Sequence, residues 1–131
     1  MQAASKLKLV NNNIELGKKF PKEVIPYLLR AAENADAKLK IEIENQIVKI
    51  GESAISVLVE SLSTTSGASR GVAAMSLIRM GFSSIKPLIL AYHDNKEYSW
   101  IVDYIINEIQ GSNKSLSGNY ESASYKKVVA C

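Results

Sequence analysis

One cysteine and one histidine in 131 residues leave little room for two kinds of chemistry. A lone Cys131 closes no disulfide within the chain, and Cys131 with His93 makes no zinc cluster. Three prolines and seven glycines are too few for a collagen or a low-complexity linker. Hydrophobic residues make up 47%, too many for a fully disordered chain. Apolar runs are short: the longest covers five residues, Leu88 to Tyr92. A transmembrane helix needs about 20, so none is expected. Near the N-terminus, Leu7, Leu9 and Val10 are interrupted by Lys8, which is no secretory signal. Gln2 stands where myristoylation needs glycine, and Cys131 is misplaced for prenylation. A cytoplasmic protein with a reduced Cys131 is expected.

What is present is one domain's worth of chain with its charge at the ends. Residues 1–24 hold five lysines against Glu15 and Glu23, a net +3. Residues 112–131 hold three lysines against Glu121, a net +2. The body between carries 8 basic and 10 acidic residues, a net −2. A nucleic-acid binder concentrates its lysines and arginines on one face or groove, so these ends are read as solubilising.

A period of 30 residues runs through the chain. Gly51, Gly81 and Gly111 mark it, and Ile25, Ile55 and Ile85 keep its frame. So do Leu28, Leu58 and Leu88, then Leu29, Val59 and Ile89. Upstream of the glycines, Ile47 matches Leu77, Val48 matches Ile78 and Ile50 matches Met80. The unit ending at Gly111 matches less well, with Asn107 and Glu108 at apolar places.

Within each unit the apolar spacing is helical, as in Leu39, Ile43, Ile47 and Ile50. No sustained alternation and no Asn-Gly or Asp-Gly turn marks a strand. The spacing predicts helices at about 5–16, 22–32, 38–50, 53–62, 68–80, 83–92 and 97–110. Each spaced glycine is expected to close a helix in the left-handed conformation. Pro21 precedes a helix, and Pro26 and Pro87 are placed among the first, unpaired amides of theirs. A hairpin of about 25 residues cannot bury both its apolar stripes alone, so neighbours must stack. The expectation is all-α: a right-handed α-solenoid of about three stacked helical hairpins plus a C-terminal helix.

Aligned in this frame, two segments carry a resemblance. They are Lys49-Ile50-Gly51-Glu52-Ser53-Ala54-Ile55-Ser56-Val57-Leu58 and Arg79-Met80-Gly81-Phe82-Ser83-Ser84-Ile85-Lys86-Pro87-Leu88. Both read as helix end, glycine, short polar link and an Ile-x-x-Leu opening, which Val24-Ile25-Pro26-Tyr27-Leu28 repeats. The pattern resembles the short HEAT-like repeats of the phycobilisome-lyase type, over about residues 20–111. Arg70 stands where that family commonly has arginine at the start of the outer helix. The resemblance implies a HEAT-like domain over 1–111, with 1–20 as an N-terminal cap and 112–131 as a polar tail. It carries fold better than function, because such repeats serve many tasks.

Catalytic chemistry finds few residues. His93 beside Asp94 could form an oriented base, but the pair reads as a solvated loop. Ser83 and Ser84 read as helix caps. Deoxyhypusine hydroxylase, a HEAT-like protein, holds iron on His-Glu pairs, and that motif is absent here. Glu42 and Glu44 do not face each other on a helix, and Glu52 and Glu60 are far apart, so no metal is expected. The dispersed glycines make no phosphate cradle. Trp100 and Asp103 share a helix face, as a Trp and an Asp do around the lesion in HEAT-like DNA glycosylases. This chain is shorter and lacks the basic groove, so Trp100 reads as a buried or half-buried seal on the last helix.

The inner helices of such a repeat line its concave face. There the frame stacks Tyr27, Val57 and Pro87 in one column and Arg30, Glu60 and Leu90 in another, with Ala91 beside. Tyr27, Arg30, Val57, Glu60, Leu90 and Ala91 are the candidate partner-binding residues. The expected role is a non-catalytic protein-interaction module without cofactor, metal or membrane, holding a protein or peptide partner. Two rival roles are an accessory subunit of a chromophore lyase and weak nucleic-acid binding through the basic ends. Self-association through the C-terminal helix or tail is a further possibility, with Tyr125 to Val129 docking on that helix or a neighbour.

Overall fold

The computed structural model describes residues 14–117. They form α-helices joined by short 3₁₀ turns, with no strand among the described residues. In chain order the helices are α1 (Ile14–Lys19), α2 (Pro21–Ala31), α3 (Ala37–Ile50), α4 (Ile55–Thr64), α5 (Gly67–Met80), α6 (Ile85–Tyr92) and α7 (Ser99–Ser117). Helices α2, α4 and α6 pack as one row of neighbours, and α3, α5 and α7 as another. The rows face each other chiefly through α4 against α5, α2 against α3 and α5, and α6 against α7.

The 30-residue frame is visible in the backbone itself. α3 and α5 are each 14 residues long. Each ends at a glycine, Gly51 at φ 85°, ψ −150° and Gly81 at φ 76°, ψ −143°. A four-residue 3₁₀ turn follows each, Gly51–Ala54 and Gly81–Ser84, and the next helix opens on Ile55 or Ile85. These glycines have positive φ but are not in the left-handed helical conformation expected of a C-cap. Their ψ is extended, a region that glycine alone enters cheaply.

What drives both reversals is burial. Leu28, Leu58 and Leu88, 30 residues apart, are all completely inaccessible to solvent, as are Ile47 and Leu77. Ala54 and Ser84 at the turn ends are also fully buried. Ser84 does not cap a helix through its side chain as expected. Its hydroxyl instead donates to the Leu77 carbonyl at 2.8 Å, pinning the turn to the end of α5. Ser83 donates to Glu52 at 3.4 Å.

Gly111 is not a helix end: α7 passes through it to Ser117. After Gly51 and Gly81 the chain offers an Ile-x-x-Leu stripe whose burial holds the reversal in place. After Gly111 it reads Ser-Asn-Lys-Ser, with nothing to bury and no reason to turn. A second departure is at Pro26. Pro21 occupies the first turn of α2, so the helix begins early and Pro26 lies inside it. Pro26 has no amide to donate to the Lys22 carbonyl four residues back. Pro87, the third residue of α6, is among the unpaired amides as expected.

Most of the helix expected at 5–16 lies outside the described residues, and α1 runs past 16 to Lys19, where the Phe20 amide donates to the Leu16 carbonyl at 2.7 Å. Its Gly17 is buried against α3, where an added Cβ would stand 2.8 Å from Ile50 Cγ1. α3 is capped by Asp36, whose Oδ1 accepts from the Leu39 amide at 2.8 Å. The stretch Gly67–Tyr92 is apolar, with mean hydropathy 1.3 over its most apolar part. It is two helices broken at Gly81, and neither α5 nor α6 has the about 20 residues that cross a bilayer.

The three spaced glycines therefore separate in a mutational test. Gly51→Ala and Gly81→Ala should each cost about 1–3 kcal/mol of unfolding free energy. Gly111→Ala should leave stability unchanged or raise it by up to about 1 kcal/mol, since alanine is the better helix former. Urea unfolding followed by helical circular dichroism measures all three.

Candidate functional site

The row α2, α4, α6 leaves a groove on each side of α4. One, of about 470 Å³, is walled by Lys22, Pro26, Leu29 and Arg30 of α2 and by Val57, Glu60, Ser61 and Thr64 of α4. Thr65 and Ser69 close its end. The other, of about 490 Å³, has Ser56, Val59, Glu60 and Ser63 of α4 on one wall and Pro87, Leu90, Ala91 and Tyr92 of α6 on the other, with Asn95 beyond. Glu60 belongs to both and stands on the ridge between them.

Five of the six candidate residues are in these grooves. Arg30, Val57 and Glu60 line the first, and Glu60, Leu90 and Ala91 the second. Leu90 is 63% exposed, and Arg30, Glu60 and Ala91 are exposed as well, whereas Val57 is buried in the floor. Tyr27 is half-buried, packs on the core and lines neither groove. Lys22 was missing from the sequence reading. It lies two helical turns before Arg30, spacing that puts both cations on one face of α2.

Among the described residues no ion pair or hydrogen bond reaches the side chains of Lys22, Arg30 or Glu60. The hydroxyls beside them are committed. Ser61 donates to the Val57 carbonyl at 2.7 Å and Thr65 to the Ser61 carbonyl at 2.6 Å. Thr64 donates to the Glu60 carbonyl at 3.3 Å. With their protons used, these oxygens offer lone pairs. The groove thus presents two free cations, one free carboxylate and a set of hydrogen-bond acceptors.

The walls are held by specific ties. Tyr92 donates from its phenol to the Val59 carbonyl at 2.5 Å, fixing α6 to α4 below the second groove. Ser69 of α5 lies 2.7 Å from the Leu29 carbonyl and 2.5 Å from the Glu33 carboxylate, and its one proton, given to either, ties α5 to the end of α2 below the first. Arg70 donates to the Leu62 carbonyl at 3.0 Å, near the negative end of α4. Its guanidinium also lies 5.8 Å from the Tyr98 ring and 5.9 Å from the Trp100 ring. Trp100, expected to be buried or half-buried, is 59% exposed and stacked with Arg70 instead. The indole keeps much of its surface in water because Ile101, Ile105 and Ile109 take the buried side of α7.

No catalytic constellation comes together among the described residues. His93 and Asp94 touch at 3.1 Å, but both are exposed and no serine hydrogen-bonds to the ring. No group of three or more His, Cys, Asp or Glu side chains is placed to hold a metal among the described residues. Glu44 is paired with Arg79 at 3.0 Å across α3 and α5. The tail segment Tyr125 to Val129 lies outside the described residues. Away from the grooves, five buried side-chain oxygens have no partner among the described residues: those of Gln46, Ser76, Asp103, Asn107 and Gln110. Comparison with protein-family models, with curated proteins and with solved structures finds no match to this chain.

Two measurements follow from these placements. Trp100 is the only tryptophan, so its fluorescence reports α7 alone. Native emission should be quenchable by acrylamide and shift little on unfolding, whereas a buried indole would shift strongly to the red. Ser76→Ala removes a fully buried hydroxyl that has no partner, and should raise the unfolding free energy by about 1 kcal/mol in urea titrations.

Proposed function

We propose that the protein is a small right-handed α-solenoid of HEAT-like repeats that works without catalysis, holding an extended segment of a partner protein on its α2, α4, α6 face. The two hairpins α3–α4 and α5–α6, related by 30 residues, and the glycine turn inside each support the repeat reading. The observation that carries the function is the pair of adjoining grooves sharing Glu60, with three charged side chains along them that are unpaired among the described residues. An unpaired charge at the mouth of a groove gains most when a partner supplies its counter-charge. Leu90, exposed beside them, adds apolar surface of the sort that anchors an interface.

The test is selection from a random displayed-peptide library on the full chain, repeated on an Arg30→Ala/Glu60→Ala/Leu90→Ala variant. Peptides enriched by the native chain and lost with the variant are expected. Enrichment that survives the triple variant would move the site off this face.

A further inference from the structure

The two grooves differ in chemistry, and the difference specifies a ligand. The α2–α4 groove has Lys22 and Arg30 on its rim, with no carboxylate bound to either among the described residues, and Glu60 at its far edge. The α4–α6 groove is walled by Pro87, Leu90 and Ala91, with no charged side chain except the shared Glu60. Resting on the peptide-binding reading above, we infer that this face recognises an extended acidic-apolar peptide, with Asp or Glu in the α2–α4 groove and a large aliphatic residue in the α4–α6 groove, three positions apart.

The spacing comes from helix packing. The grooves flank one helix, so their centres are separated by about one interhelical distance, roughly 8–10 Å. A peptide in the extended polyproline-II conformation advances about 3.1 Å per residue and returns every third side chain to the same face, so roughly three residues span that distance with both anchors turned to the protein. Glu60 stands under the middle of the segment. It repels a second carboxylate there and favours a neutral or basic residue.

A peptide also fits the acceptors. Ser61 and Thr65 have already given their protons to helix carbonyls and present lone pairs to the first groove. A fully ionised inorganic anion such as sulfate has no proton to give them, whereas every residue of an extended peptide except proline brings an N–H. The cations select the acidic side chain and the acceptors select the backbone that carries it.

The experiment uses fluorescence anisotropy of labelled ten-residue peptides on the full chain. The probe is Glu-Ala-Ala-Leu between Gly-Ser flanks, with Gln-Ala-Ala-Leu and Glu-Ala-Ala-Ser as its partners. The Glu-Leu peptide should bind about tenfold more tightly than either, the worth of one charge-assisted hydrogen bond or one buried side chain. Its affinity should fall as salt is raised. Lys22→Gln/Arg30→Gln should erase the preference for Glu over Gln while keeping that for Leu over Ser. Leu90→Ser should do the reverse. Arg30→Glu should turn the preference towards Lys-Ala-Ala-Leu. All three side chains are exposed, and unchanged thermal unfolding verifies that the variants fold. Equal binding of the Glu and Gln peptides, or discrimination that survives the double variant, overturns the inference. Should the library yield groove-dependent peptides without this pattern, the inference fails and the peptide-binding reading stands. If no peptide of any sequence binds, both fail.

Discussion

The column of Leu28, Leu58 and Leu88 is the contact on which the rest of the molecule depends. Each leucine is wholly excluded from water, and each is worth about 2–5 kcal/mol against truncation to alanine. Between Leu28 and Leu88 the chain turns four times from one helix to the next, and the two turns that lead into α4 and α6 each pass through a glycine at positive φ with extended ψ. The reversals set α3 beside α5 and α4 beside α6. They also put Glu60 on a ridge with a groove on either hand. The fold and the candidate site are therefore consequences of one burial pattern.

Where the pattern weakens, the molecule changes character. In the repeat frame Gln46, Ser76 and Ile106 are equivalent, and the two polar members each bury an oxygen without a partner. On α7, Asp103, Asn107 and Gln110 fall at i, i+4 and i+7, one face of the helix, with buried oxygens that are also unpaired. Such atoms subtract from stability. They cluster in the third unit, the same unit whose glycine does not turn. The chain thus has two well-formed units and a third in which burial no longer dictates the backbone.

Much of this was legible in the sequence. Helical spacing, the 30-residue frame and the reversals at Gly51 and Gly81 follow from apolar periodicity and glycine placement, which are local. Gly111 misled because a glycine permits a turn without causing one, and the cause lies in the residues after it. Pro26 misled because α2 opens at Pro21 itself, which leaves Pro26 beyond its first, unpaired amides. The exposure of Trp100 depended on which side of α7 the isoleucines claim, a packing outcome rather than a propensity. Arg30, Glu60 and Leu90 were legible as a column because the period stacks them. Lys22 and the opposed chemistry of the two grooves were not, because they arise between helices and have no signature along one. Tyr27 shares a column with Val57 and Pro87, which line the grooves, but lines neither itself, a choice that the repeat alone does not make.

The most direct test of the account is the backbone geometry at the three spaced glycines in solution. NMR couplings and carbon chemical shifts of the labelled full chain report φ at each. Positive φ at Gly51 and Gly81, with uninterrupted helical values through Gly111, is the predicted result. Helical values at Gly51 or Gly81, or a reversal at Gly111, would contradict it, and with it the registered leucine column and the grooves it builds.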